Sequence, residues 1–216
     1  MVTPETEHQR VKGGDTASRS IVAFDFDGTL TTYDTFTAFL RWRAGFLAYV
    51  AGIIRLTPQL VAYLFTRDRG ALKAAAARLF LHGATREELD ADAEAFAESH
   101  MGQLIRPDAL AVWREHGANG ATMAIVTASP ETVIAPFARR LGADWLIGTQ
   151  LGFDESGRFT GRFAGPNCRA DEKVCRLKAT FGDDMTLAAA YGDTSGDVAM
   201  LAFAAEGHMK VFSGRP

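Results

Sequence analysis

The chain has 216 residues, 47% of them hydrophobic, enough for one well-buried core with an appended lobe but not for two full-sized domains. Its formal net charge is −3 and its basic residues are scattered, which argues against the positive stripe that nucleic-acid binding needs. Cys168 and Cys175 are too few for a disulfide framework and have no metal-ligand company, so the composition fits a reducing, cytoplasmic setting.

Residues 1–19 are polar, contain Gly13-Gly14 and lack the apolar stretch of a secretory leader; they read as a flexible tail. The first ordered element is the β-favouring run Ile21 to Phe26, which ends abruptly in Asp27-Gly28-Thr29: a buried strand and its exit loop. Residues 32–105 are almost purely helical, rich in Ala, Leu and Phe, with breaks near Pro58, Arg69-Gly70 and Gly83-Ala84. Because this stretch leaves the sheet directly after the carboxyl end of the first strand, it would stand over the crevice where open α/β sheets bind ligands. It reads as a helical cap.

From residue 106 the pattern alternates. It predicts a helix through Trp113, a strand at Met123–Val126, a helix from Pro130 to Leu141 and a strand at Trp145–Ile147. Glycine, charge and alternating phenylalanine from Gly152 to Phe163 predict a β-hairpin turning at Glu155-Ser156-Gly157. A helix at Asp171–Phe181, a buried strand at Leu187–Tyr191, a helix at Asp197–Ala205 and a last strand around Val211-Phe212 complete the chain. The fold class is therefore α/β: a doubly wound parallel sheet formed by 20–31 and 106–216, with an all-helical insertion over 32–105 and a small hairpin.

Asp25 and Asp27 stand two apart where a strand runs into a loop, so both carboxylates can reach the carboxyl edge of the sheet. Two carboxylates so close do not both ionise cheaply unless a cation neutralises them; otherwise one is held protonated as an acid. In isolation they read equally as loop-capping aspartates beside a turn glycine. Downstream, the apolar strand ending at Tyr191 runs into Gly192-Asp193-Thr194-Ser195-Gly196-Asp197, again acids at a strand's carboxyl end. Acids converging on one edge without a His or Cys cluster suit magnesium better than zinc. Thr127 ends a third apolar strand, where its hydroxyl serves either a phosphate oxygen or the cap of the following helix, and Lys173 taken alone is a solvated lysine.

In order, Asp25-x-Asp27-Gly28-Thr29, Thr127, Lys173 and Gly192-Asp193-x-x-x-Asp197 closely resemble the four motifs of the haloacid-dehalogenase-like phosphatases. The resemblance implies Asp25 as nucleophile forming an aspartyl-phosphate and Asp27 as general acid and base. It implies Gly28, Thr127, Ala128 and Lys173 as phosphate holders, a magnesium site of Asp25, Asp193 and the backbone of Asp27, and Asp197 as a support. The helical insertion between the first and second motifs resembles subfamily IB, which contains the phosphoserine phosphatases. Those carry a glutamate where this chain has Asp34, and two glycines after their second-motif serine, where it has Ala128-Ser129-Pro130 after Thr127. Phosphatidylglycerophosphatase C and the hydrolases grouped with it are a closer match, through Asp34-Thr35-Phe36, Thr127-Ala128-Ser129-Pro130 and Asn167-Cys168 ahead of Glu172-Lys173-Val174. That likeness implies Asp34, Phe36 and Asn167 as specificity residues and a lipid phosphate such as phosphatidylglycerophosphate as substrate. A soluble, phosphoserine-like ester and a non-enzymatic regulator that keeps the fold are the competing expectations.

Within the cap, Phe46 to Ile54 and Leu60 to Phe65 are apolar runs separated by a Pro-containing polar break, neither long enough to span a bilayer. Flanked by Arg41, Arg43, Arg55, Arg67 and Arg69, they predict either a peripheral contact at the inner membrane surface or the cap's own hydrophobic core. Trp42, Trp113 and Trp145, the histidines, and Cys168 read as packing residues.

Overall fold

The computed structural model describes residues 9–10 and 20–216. A short strand β1 (Gln9–Arg10) precedes β2 (Ile21–Phe24), and a wide turn over Phe26–Leu30 leads into the cap. The cap helices are α1 (Thr35–Ala44), α2 (Phe46–Arg55), α3 (Thr57–Thr66), α4 (Arg69–Leu81) and α5 (Arg86–Leu104). The core resumes with α6 (Pro107–Ala118), β3 (Thr122–Pro130), α7 (Glu131–Leu141) and β4 (Trp145–Thr149). A hairpin of β5 (Leu151–Phe153) and β6 (Phe159–Phe163) follows, then α8 (Asp171–Phe181), β7 (Leu187–Gly192), α9 (Val198–Phe203) and β8 (Ala204–Met209).

The sheet runs β1-β4-β3-β2-β7-β8, every pairing parallel except that of β1 with β4. β2 is central and buried on both faces, which is why its sequence is a continuous apolar run rather than an alternating one. Strand alternation sorts its side chains. Val22 and Phe24 join Met123, Ile125, Trp113 and Phe137 in the core under α6 and α7, whereas Ala23 joins Ala124, Val126, Leu177 and Met200 under α8 and α9. Helices thus cover both faces, as the alternating sequence predicted.

The cap leaves and rejoins the core at one place: Thr31 and Ile105 form an isolated antiparallel bridge. The Arg106 guanidinium clamps this junction, donating to the carbonyls of Gly28 (3.2 Å), Thr31 (3.1 Å) and Gly214 (2.8 Å). Helix starts are capped as their sequences ask, by Asp34 for α1, Asp68 for α4 and a full Thr85/Glu88 capping box for α5. α5 then ties the cap to α7 through Glu94, which accepts from Arg139 and Arg140 at 2.6 Å each.

Two expectations change. The last strand is Ala204–Met209, not Val211-Phe212, and α9 stops at Phe203 to make room for it. Backbone pairing with β7 makes this edge strand despite its Glu and Gly, while Phe212 is drawn instead onto the Phe24 and Tyr191 rings, at 6.3 and 5.5 Å. Of residues 1–19, read as a tail, Gln9–Arg10 add the antiparallel edge strand and the others lie outside the described residues. The tryptophans pack as expected: Trp113 against Phe24, Trp145 against Phe181, Trp42 against Phe39 and Phe96.

Candidate active site

The carboxyl ends of β2, β3 and β7 converge beneath the cap on a cavity of about 570 Å³. Asp25 continues the β2 ladder, its N–H donating to the Tyr191 carbonyl at 2.8 Å, so its carboxyl group sits at the sheet's edge with little exposure. Lys173, projecting from the first turn of α8, is buried against it. The Nζ donates to Asp25 Oδ1, to Asp197 Oδ1 and to the Val126 carbonyl, each at 2.6 Å. A buried lysine survives only with such partners, and the flanking carboxylates hold its pKa above the ordinary value against the cost of desolvation.

Burial pushes the Asp25 carboxyl up to about 7, against the pull of Lys173 and with added repulsion from Asp197 and Asp27. Asp197 goes the other way: burial would raise it, but Lys173 and hydrogen bonds from Thr194 prevail and lower it. Both Asp197 oxygens are committed, Oδ1 to Lys173 and Oδ2 to the N–H groups of Asp193 (3.2 Å) and Thr194 (2.9 Å) and the Thr194 hydroxyl (3.0 Å). Asp193 is different. Its Oδ1 is buried and has no hydrogen-bond partner among the described residues, and burial and Asp197 raise its pKa. Carboxylate oxygens of Asp25, Asp193 and Asp197 lie within 4.8 Å of one another. An orphaned buried oxygen beside a second carboxylate is the donor set a hard divalent cation takes, so the residues fit magnesium.

Gly28 is what lets Asp193 come this close. Its φ of 86° is left-handed, and a Cβ there would stand 2.3 Å from Asp193 Oδ2. The turn also folds Asp27 back over the cavity, where Oδ1 accepts from the Thr35 N–H at 2.7 Å and Oδ2 accepts from the Ser129 hydroxyl. Burial, and then Asp34, raise the Asp27 pKa.

Among the residues singled out in the sequence, Asp25, Asp27, Gly28, Asp34, Phe36, Ala128, Asn167, Lys173, Asp193 and Asp197 all line this cavity. Thr127 stands behind it, fully buried, with Oγ1 accepting from the Ser129 N–H at 3.0 Å. Asn167 Oδ1 accepts from the Thr149 hydroxyl at 2.8 Å. Asp34 caps α1 through Thr37 N–H at 2.6 Å and lies 3.5 Å from Lys73. Sequence reasoning passed over Lys73 and Arg169 and gave the Ser129 hydroxyl no role, and all three belong to the site or its wall. Lys73, on α4, donates to Ser129 Oγ at 3.0 Å and stands over the Phe36 ring. Arg169 lines the mouth and donates to Ser195 at 3.0 Å. A larger groove, of about 750 Å³ between α5, α7 and β5, contains none of the acidic residues of this edge.

Known proteins share this sequence and this fold. Protein CicA of Caulobacter vibrioides is 59% identical over 196 residues, covering 91% of this chain and 88% of the relative. A solved protein of unknown function from Bordetella pertussis Tohama I superposes with a TM-score of 0.69 at 28% identity, covering 86% of this chain and 87% of its own. A phosphoserine phosphatase solved as a phospho-aspartyl intermediate analogue shares the fold, with a TM-score of 0.58 at 19% identity over 86% of this chain and 83% of the other. The family described as haloacid dehalogenase-like hydrolase matches residues 22–202, and the chain belongs to it.

Proposed function

We propose that the chain is a magnesium-dependent phosphomonoester hydrolase that works through an aspartyl-phosphate on Asp25, with a lipid phosphate such as phosphatidylglycerophosphate as substrate. The observation that carries the chemistry is the paired state of Asp25: one oxygen is fixed on Lys173 while the carboxyl group opens on a cavity shared with Asp27 and the orphaned oxygen of Asp193. Magnesium would be held by Asp25, Asp193 and the Asp27 backbone, and when bound it supplies positive charge to the phosphoryl oxygens.

The chain's own residues do the rest. Asp25 forms an oxygen–phosphorus bond as the ester oxygen leaves, with Lys173 offsetting negative charge at the carboxylate and phosphate. Asp27, whose raised pKa suits carrying a proton, protonates the departing alkoxide. It then takes a proton from the water that cleaves the acyl-phosphate, which frees phosphate and restores Asp25. An ester leaving group needs that proton, so a second aspartate in this position favours phosphomonoester hydrolysis over acyl-phosphate or carbon–halogen cleavage. A lipid substrate is supported by the cap: Tyr63 of α3 lines the cavity beside the solvent-facing Leu64 and Phe65.

The test is phosphate release by purified protein with magnesium, comparing phosphatidylglycerophosphate in vesicles with phosphoserine and other soluble monophosphates, with Asp25→Asn as control. Release that survives Asp25→Asn refutes the mechanism. Preference for a soluble ester keeps the mechanism and replaces the lipid by a small substrate, and no turnover of any ester favours a partner-binding role for the fold.

A further inference from the structure

Helices α2 and α3 rest on the protein by one side only. Gly52 is the buried residue of α2, and it sits on Phe80 of α4 so closely that a Cβ there would stand 2.2 Å from the ring; Tyr49 stacks on the same ring at 5.5 Å. α3 buries none of its residues. On α2, Leu47, Val50 and Ile54 recur at the spacing of one helical stripe, and Val61, Leu64 and Phe65 do so on α3. Such stripes ordinarily turn inward. Here they are 82, 41, 68, 48, 60 and 83% exposed, with Phe46 at 64% beside them. So large an apolar face on a water-soluble surface marks a contact surface.

We infer that α2 and α3 form an interfacial anchor that lies in the surface of an anionic phospholipid bilayer. This deepens the reading of the cavity as a site for a lipid phosphate, since the anchor would hold the cavity mouth at headgroup level. Charge selects this occupant. Between Thr35 and Ala84 the chain carries seven lysines and arginines against Asp68 alone, although the whole protein has a net charge of −3. Arg43 is paired with Asp92 and Lys73 turns toward Asp34, but Arg41, Arg55, Arg67 and Arg69 stand exposed around the apolar stripes. Apolar side chains ringed by cations match the layered chemistry of an anionic membrane surface. A second copy would bring the same cations against themselves.

Geometry agrees. Each helix has ten residues, about 15 Å of rise, against a hydrocarbon layer of about 30 Å, and the pair is bent by 57°. No single described helix is long and apolar enough to cross a membrane; the bent pair together has the length and composition of a broken span or re-entrant loop, but a span would carry Arg55, exposed at the bend, to the middle of the bilayer, which favours the interface. Tyr63 and Arg69, which line the cavity, are held together at 3.4 Å at the end of this face. A lipid phosphate would enter there from the side.

The experiment is co-sedimentation of the full chain with vesicles of phosphatidylcholine alone or mixed with phosphatidylglycerol, at low and high salt. Capture by the anionic vesicles, weakened by salt, is expected. Leu47→Asp combined with Phe65→Asp should reduce capture at least about tenfold while leaving turnover of a soluble aryl phosphate unchanged. Arg55→Gln and Arg67→Gln should each weaken capture about fivefold. Asp25→Asn should bind vesicles like the wild type, so a failed phosphatase reading and a failed anchor give different results. Circular dichroism verifies folding, and Leu47→Ser with Phe65→Ser serves as a milder pair. No capture by anionic vesicles at low salt, capture indifferent to the apolar substitutions, or a dimer that those substitutions dissociate in place of vesicle binding would overturn the proposal.

Discussion

Lys73 of the cap donates a 3.0 Å hydrogen bond to Ser129 of the core, 56 residues away, and Ser129 in turn donates to Asp27. The cap is therefore wired to the group read as acid and base. Lys73 is a positioning residue in this reading: it orients the Ser129 hydroxyl and offsets the repulsion between Asp27 and Asp34. Lys73→Met is expected to lower kcat/KM by about ten- to a hundredfold, with Lys73→Arg recovering part of the loss. Steady-state kinetics on folded variants test this, and an unchanged kcat/KM in Lys73→Met would remove Lys73 from the mechanism.

The orphaned Asp193 oxygen predicts a specific response to metal. At magnesium concentrations about a hundredfold above its Kd, binding should stabilise the wild type by about 2.7 kcal/mol, visible as a rise in Tm that EDTA abolishes. Asp193→Asn should lose most of that rise and most turnover while melting normally without metal, because the side chain makes no protein hydrogen bond through Oδ1. A full magnesium shift in Asp193→Asn would place the cation elsewhere.

Lys173 carries structural weight as well as charge. Replacing it by Met leaves Asp25 and Asp197 buried without their shared cation, a change expected to cost about 3–5 kcal/mol. Urea unfolding would register it. A loss below about 1 kcal/mol would mean that water reaches these carboxylates in the folded protein.

Burial pushes the Cys168 thiol up to about 12, whereas Cys175 is exposed. Near neutral pH Cys168 has almost no thiolate, so iodoacetamide should label Cys175 alone in the native protein and both residues after denaturation. Peptide mass spectrometry distinguishes them; equal native labelling would show that the core around Cys168 opens in the native protein.

Much of the site was legible because its signals are local. Asp25, Asp27 and Gly28 fall within four residues at a strand exit, and strand periodicity places them at the sheet edge without knowledge of any partner. Lys73 offered no such signal, since in an alanine-rich helix it looks like any solvated lysine, and only the fold of α4 over β3 gives it Ser129. Edge strand β8 was hidden for a related reason: its residues have weak strand preference, and the open edge of β7 supplies the pairing that their propensity does not.

The two apolar runs of the cap divide most clearly. Composition determined that α2 and α3 are short, apolar and ringed by arginine, but it allowed either an internal core or an outward face, since helical spacing is the same for both. Tertiary packing decided between them. α4 offers a seat for Gly52 and Tyr49 and little more, so the stripes have no core to enter and face outward. The sequence by itself determined the order of chemical groups along the strands, because each is set by its immediate neighbours. Which distant groups meet, and which apolar faces stay uncovered, depended on long-range packing that no local pattern encodes.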